Sequence, residues 1–200
     1  MHPNSSFRWD DRDALRAFAG EVGFGSIFAT TPDGPRVAHA PFVFASEDKI
    51  AFHLARGNAL TKHLAGMEGL FLVNGPDAYI SPDWYGIADQ VPTWNYLALE
   101  LQGPVRQLNR DELAAQVDAV SAAQEGRLAP KPEWTKDKMT PGLFDKMLGA
   151  ITGFEMTITA WRGTAKLGQN KTPEVRENAA KGLEDRGAMA MAHLMRTLMK

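Results

Sequence analysis

A guanidinium, an ammonium, an amide and a hydroxyl fall within seven residues in "FHLARGNALTKHL", residues 52–64. The pattern predicts a strand that ends at Arg56, a tight turn at Gly57, and a helix capped by Asn58 that carries Leu60 and Leu64. Thr61 then falls in the first helical turn, with Arg56 and Lys62 flanking the helix start. Backbone N–H groups and two cations around one point are what a phosphate monoester requires. The same residues also read as an ordinary capped helix with solvated charges, and on spacing alone both readings stand.

A second stretch, "AYISPDWYGIADQVPTWNYLALELQG", holds two of the five tryptophans and all three tyrosines of the chain. Ser81-Pro82-Asp83 and Gly86 are turn residues, so Tyr79, Trp84 and Tyr85 are expected on a bent connection. A strand restarts at Val91-Pro92 and leads into Thr93-Trp94-Asn95-Tyr96. Aromatic rings next to amides and hydroxyls suit a flat, partly polar ring ligand. They equally suit a satellite core under a loop, or a dimer interface, where Tyr and Trp are enriched.

A third polar junction is "KLGQNKTPEVRENAAKGLE", with Lys166, Gln169, Asn170 and Lys171 between a strand and a Thr-capped helix. Taken by itself, it is a solvated loop. His39, His53 and His63 have no carboxylate at ligand spacing, so no metal site is expected. His53 alternates away from Ile50, Phe52 and Leu54; it lines a site, meets a subunit contact, or is a satisfied structural histidine. The chain contains no G-x-S-x-G, Walker A or G-x-G-x-x-G sequence, and Ser-His-Asp catalysis has no support in it.

These groups need elements to hold them. Residues 11–23 read as an amphipathic helix stopped by Gly23, and Pro32-Asp33-Gly34-Pro35 marks a hairpin. Three more strands follow, in "KIAFHLAR", "GLFLVNG" and "PTWNYLALELQGPVRQL". Asn109 with Glu112 opens a helix by a box-like start, Thr140-Pro141 opens another, and "GFEMTITAWRG" returns to alternation. Thr172-Pro173 starts a helix running to about Arg186, and Gly187 separates it from a last helix. In that helix Met191, Leu194, Met195 and Leu198 form an apolar stripe suited to packing rather than to reading bases. Short connections between strands imply antiparallel pairing, and closing the sheet removes its edges. The expectation is a mainly β, α+β fold: a small antiparallel β-barrel with peripheral and C-terminal helices.

With 44% hydrophobic and 23% charged residues, the 200-residue chain can build a sizeable core. A net charge of −2 gives no electrostatic footprint for nucleic acid. The chain has no cysteine, which excludes disulfides, thiolate catalysis and Cys-ligated metals. No apolar leader and no 18-residue apolar run are found, so a soluble, cytoplasmic protein with no membrane partner is expected.

"HLARGNALTKHL", "AYISPDWY", "VPTWNYLALELQG" and "KLGQNKT", in this order and spacing, resemble the PaiB-like FMN-binding transcriptional regulator family. The likeness covers nearly the whole chain, and "ISPDWY" followed by "VPTWNY" is its most specific part. It implies an FMN-binding split β-barrel related to the pyridoxamine-phosphate oxidase-like flavoproteins, with residues 1–200 as one domain and a helical C-terminal extension from about 172. It also implies a homodimer whose FMN sites lie at the subunit interface. Under the resemblance Arg56, Asn58 and Lys62, with Thr61 and His53 beside them, serve the FMN phosphate region. Tyr79, Ser81, Trp84 and Thr93, Trp94, Asn95, Tyr96 shape the flavin walls or the dimer seam. Lys166, Gln169 and Asn170 match a polar family motif near the site. Two departures are visible: Met1-His2-Pro3 replaces M-Y-x-P, and Gly168 and Lys171 replace the Ser and Arg of K-L-S-Q-N-R. Lys keeps the charge but not the bidentate fork.

Three functions follow. The first is a negative transcriptional regulator, with DNA as a partner through the resemblance alone. The second is an FMN-dependent oxidoreductase, for which no acid or base stands out. The third is a small-ligand-binding dimer without flavin.

Overall fold

Alternation of apolar and polar residues builds most of the molecule. In the computed structural model, which describes residues 3–198, the strands form an antiparallel sheet of eight in the order β1-β8-β6-β5-β2-β3-β4-β7, with β6 also pairing with β7. Their ranges are β1 Arg8–Trp9, β2 Phe24–Thr31, β3 Gly34–Ser46, β4 Lys49–Ala55, β5 Glu68–Ile80, β6 Thr93–Gln107, β7 Ile151–Thr157 and β8 Ala160–Lys166. The helices are α1 Arg12–Val22, α2 Arg110–Glu125, α3 Leu143–Leu148, α4 Pro173–Asp185 and α5 Met189–Thr197. Met1 and His2, where the chain departs from the family's usual start, lie outside the described residues, as do the last two of the C-terminal extension.

The chain divides into two units, and β5 and β6 run through both. The larger unit holds residues 16–73 and 100–161. Here β6, β5, β2, β3, β4 and β7 pair in turn, and the β6–β7 ladder (Val105 opposite Met156) closes the ring. The hairpin expected around residues 32–35 is present, and the β2–β3 register sets Thr31 opposite Gly34, leaving Pro32-Asp33 as its two-residue turn. Phe42, Phe52, Phe71, Phe154, Ile50 and Met156 fill the interior with almost no exposure. Phe42 meets Phe71 edge-on at 5.0 Å between centroids. Helix α2 begins with the expected box: the Glu112 amide donates to Asn109 Oδ1 at 3.0 Å and the Asn109 amide donates back to Glu112 Oε2 at 2.8 Å. Its Leu113 joins Ala51, Leu108 and Leu148 in a second small core on the outer side of β4.

The smaller unit holds residues up to 15, then 74–99 and 162 onward. Strand β6 alternates there, with Asn95, Leu97 and Leu99 buried and Trp94 exposed. Thr172 caps α4, its Oγ1 accepting from the Val175 amide, and Pro173 occupies the first helical turn. Met191 and Met195 of α5 are buried, so the apolar stripe is core packing. No helix among the described residues is long and apolar enough to cross a membrane.

Four local expectations are corrected. Residues 56–64 form successive turns rather than a helix, because the backbone folds back on Ala55 and Asn58 instead of starting an i to i−4 series. Tyr79 belongs to β5, which runs on to Ile80, so the break begins only at Ser81. The single late strand is two, β7 and β8. Thr140 does not cap α3; Gly142 does, at φ 78°, where a side chain would be strained.

Candidate functional site

In the larger unit, β4 delivers the phosphate candidates. The Asn58 amide donates to the Ala55 carbonyl, and Asn58 Oδ1 accepts from the Leu60 amide at 2.9 Å. Buried Thr61 donates its hydroxyl to the Ala55 carbonyl at 2.9 Å, and its amide donates to the Asn58 carbonyl. The turn is therefore held by its own polar atoms, and its amides are largely spent. What stays available is on side chains: the Arg56 guanidinium, the Lys62 ammonium and the Asn58 amide nitrogen. Arg56 and Lys62 are exposed, with no side-chain hydrogen bond or ion pair among the described residues. Arg56 also lines a cavity of about 150 Å³ with Gln107, Asn109, Arg110 and Thr152. His53 is half-buried and turned to α2, its Nδ1 2.9 Å from Gln116 Oε1, so that nitrogen carries the proton in this arrangement.

In the smaller unit, Thr93, Asn95, Lys166 and Asn170 converge on a second cavity, of about 240 Å³. Lys166 Nζ donates to Thr93 Oγ1 at 2.6 Å and sits 5.7 Å from the Phe7 ring centroid. Burial pulls its pKa below the usual lysine range. Asn95 is 2% exposed, and among the described residues the one hydrogen bond of its side chain goes to the thioether of Met195, 3.4 Å away. The other candidates lie elsewhere in this unit. Tyr79 and Trp94 form an exposed edge-to-face pair at 5.8 Å, with Trp94 Nε1 donating to Asp77 at 2.7 Å. Trp84, on the 3-10 turn Pro82–Tyr85, packs against Gly182 of α4 so closely that a Cβ there would lie 2.5 Å from the indole. Ser81 precedes that turn and its carbonyl accepts from the Trp84 amide. Tyr96 is half-buried on the outer side of β6. Gln169 spends its amide on the Leu167 amide and the Ala165 carbonyl.

Of the other residues lining this second cavity, Lys171 and Tyr85 lie in the candidate stretches without an assigned site role, and Asn4, Phe7 and Gly168 have no expected role there. Lys171 bonds Gln90 Oε1 and lies 5.0 Å from the Tyr85 ring centroid. Lys171 and Gly168 stood in a quoted motif as departures, which was a usable signal; Phe7 gave none.

An antiparallel eight-stranded sheet with five helices matches the fold of the flavin-binding split barrels. The fold is shared with the FAD and heme binding protein of Mycobacterium smegmatis, at TM-score 0.61 and 17% identity over 88% of this chain and 80% of that one. It is also shared with the flavocytochrome Anf3 of Azotobacter vinelandii, at TM-score 0.58 and 15% identity over 84% and 73%. In sequence, the family described as "Putative FMN-binding domain" matches residues 1–160. The protease synthase and sporulation protein PAI 2 of Bacillus subtilis (strain 168) is 31% identical over 100% of this chain and 99% of its own length. The chain belongs to this FMN-binding family, and its cofactor is FMN. The chemistry of the larger unit's donor set fits that group: Arg56 and Lys62, without a side-chain partner among the described residues, are the kind of cations a phosphate needs.

Proposed function

We propose that the protein is an FMN-binding regulator of the PaiB-like type that represses genes tied to sporulation and degradative enzymes, acting in the cytoplasm as a homodimer with its FMN sites at the subunit interface. In this reading residues 1–200 work as one FMN-binding domain with α4 and α5 as its C-terminal extension. Arg56, Asn58 and Lys62 hold the phosphate, while Thr61 and His53 brace the turn and β4 behind them. Thr93, Asn95, Lys166 and Asn170 face the ligand, with Lys171 added to them. Tyr79, Ser81, Trp84, Trp94, Tyr96 and Gln169 shape the walls or the seam between subunits. The full-length identity with a sporulation protein carries the regulatory half of the proposal.

Two measurements test it. Purified protein should show flavin absorbance, or acquire it on adding FMN. A gel-shift with the DNA upstream of its own gene should show sequence-selective, salt-dependent binding. Loss of the shift at every salt concentration, with FMN bound, sinks the regulatory half and leaves the flavoprotein.

One observation favours a second reading, an FMN-dependent oxidoreductase. Bound FMN supplies hydride and electron chemistry, and the protein contributes position and charge. The desolvated Lys166 is a positive charge of the kind that favours a reduced, anionic flavin. NAD(P)H oxidation by the FMN-loaded protein separates this reading from the first.

A further inference from the structure

The 240 Å³ cavity of the smaller unit has an electrostatic imbalance. Lys166 and Lys171 both line it, and none of the ten lining residues is a carboxylate. Each ammonium is satisfied by one neutral oxygen, Thr93 Oγ1 for Lys166 and Gln90 Oε1 for Lys171, and faces one ring. A partly buried cation without a counter-ion is costly, and a bound anion offsets that cost. The loop that supplies Gly168, Asn170 and Lys171 runs into the N-terminus of α4, whose dipole adds to the positive potential. Asn95 gives an independent sign. It is 98% buried, it lines the cavity, and among the described residues its amide has only a thioether for a partner, so hydrogen-bonding capacity is left for a ligand. Phe7, Tyr85 and Val91 supply flat or apolar wall, and the volume lies below the roughly 300 Å³ at which drug-sized clefts begin. One substituted ring fits; a whole mononucleotide does not.

We infer that this cavity binds a small planar anion, with its negative edge on Lys166 and Lys171, its hydrogen-bonding edge on Asn95 and Thr93, and its face along Tyr85 and Phe7. Two sources offer that chemistry: an aromatic carboxylate in solution, and the anionic pyrimidine end of reduced FMN. The inference rests on the lining and not on where the rest of FMN lies. Only its second source depends on the proposed flavoprotein function.

The experiment uses the full chain, as apoprotein and loaded with FMN, with sodium benzoate as the planar carboxylate. Lys166→Met removes the charge and keeps an apolar stem, and Lys166→Arg restores the charge; circular dichroism verifies that each is folded. Benzoate binding by calorimetry that weakens at least tenfold in Lys166→Met and returns in Lys166→Arg establishes the carboxylate source. A more negative flavin potential in Lys166→Met, restored in Lys166→Arg, establishes the flavin source. Failure of both, in folded protein, overturns the inference. Should the chain take up no FMN, the benzoate arm on the apoprotein still decides, so the two ideas fail separately. Should Lys166→Met not fold, Lys171→Met takes its place with the same outcomes.

Discussion

Arg56 matters for what its guanidinium does not touch. It stands at the end of β4, exposed and without a carboxylate partner among the described residues, next to a turn whose own polar atoms are already satisfied. Removing it should cost the fold little and the ligand much. Arg56→Ala is expected to weaken FMN binding by about 1.5–3 kcal/mol, the scale of a charge-assisted hydrogen bond, in a flavin-fluorescence titration. Thr61→Ala should do the reverse: its buried hydroxyl holds the Ala55 carbonyl, so the melting temperature falls by the equivalent of about 1 kcal/mol. If Arg56→Ala binds FMN unchanged, the phosphate lies elsewhere. Lys166 carries a second prediction, about pH. Its folded pKa is depressed by burial, so the cost is fully present below that value and is relieved as pH rises from it towards the unfolded value near 10.4. The ligand-free Lys166→Met protein should therefore melt higher than wild type at neutral pH, with the gap closing in alkaline buffer. An unchanged melting temperature would mean that water reaches Lys166 freely. Stability given up at a binding residue is the usual sign of function.

At the scale of elements, the barrel closes where β6 meets β7, and Gly103 is the residue that permits it. A Cβ there would lie 1.8 Å from the Thr157 carbonyl oxygen, and the Thr159 amide donates to Gln102 O at 2.8 Å directly beside it. Backbone cannot yield as a flexible side chain does. Gly103→Ala should destabilise the protein by at least the roughly 1–3 kcal/mol typical of overpacking, seen as a lowered denaturation midpoint or as insoluble protein. A midpoint equal to wild type would show that the ladder opens without cost. In sequence this glycine sat inside a strand pattern with no sign of its role, because the requirement comes from a chain more than fifty residues away. The same division explains what else was legible. Strands set by alternation, the α2 capping box and the Thr172-Pro173 start of α4 follow from local chemistry and could be read off. The turns after Arg56 could not, since the sequence carries a good helix start and the Ala55 carbonyl overrides it. The motif residues were recognisable by type, but the partners that occupy Asn58, Gln169 and His53 were not. Tertiary hydrogen bonds decide which polar groups of a motif remain for a ligand.

For the whole molecule, the proposed placement of FMN at a subunit interface makes binding and assembly one equilibrium. If each site needs residues from two copies, FMN must tighten the dimer by the same factor that dimerisation tightens FMN. A net charge of −2 sets no strong long-range repulsion against pairing. The exposed Tyr79–Trp94 pair adds aromatic surface of the kind enriched at interfaces. Sedimentation equilibrium with and without FMN should therefore show a lower dimer dissociation constant in its presence, and apparent FMN affinity should rise with protein concentration. Ligand at a hundred times its dissociation constant stabilises by about 2.7 kcal/mol, enough to read in a melting curve. In Arg56→Ala the same increment should require proportionally more FMN, while the ligand-free melting curve stays as in wild type. A monomer that binds FMN with an affinity independent of its own concentration would rule out a shared site, and the cofactor would then belong to a single chain.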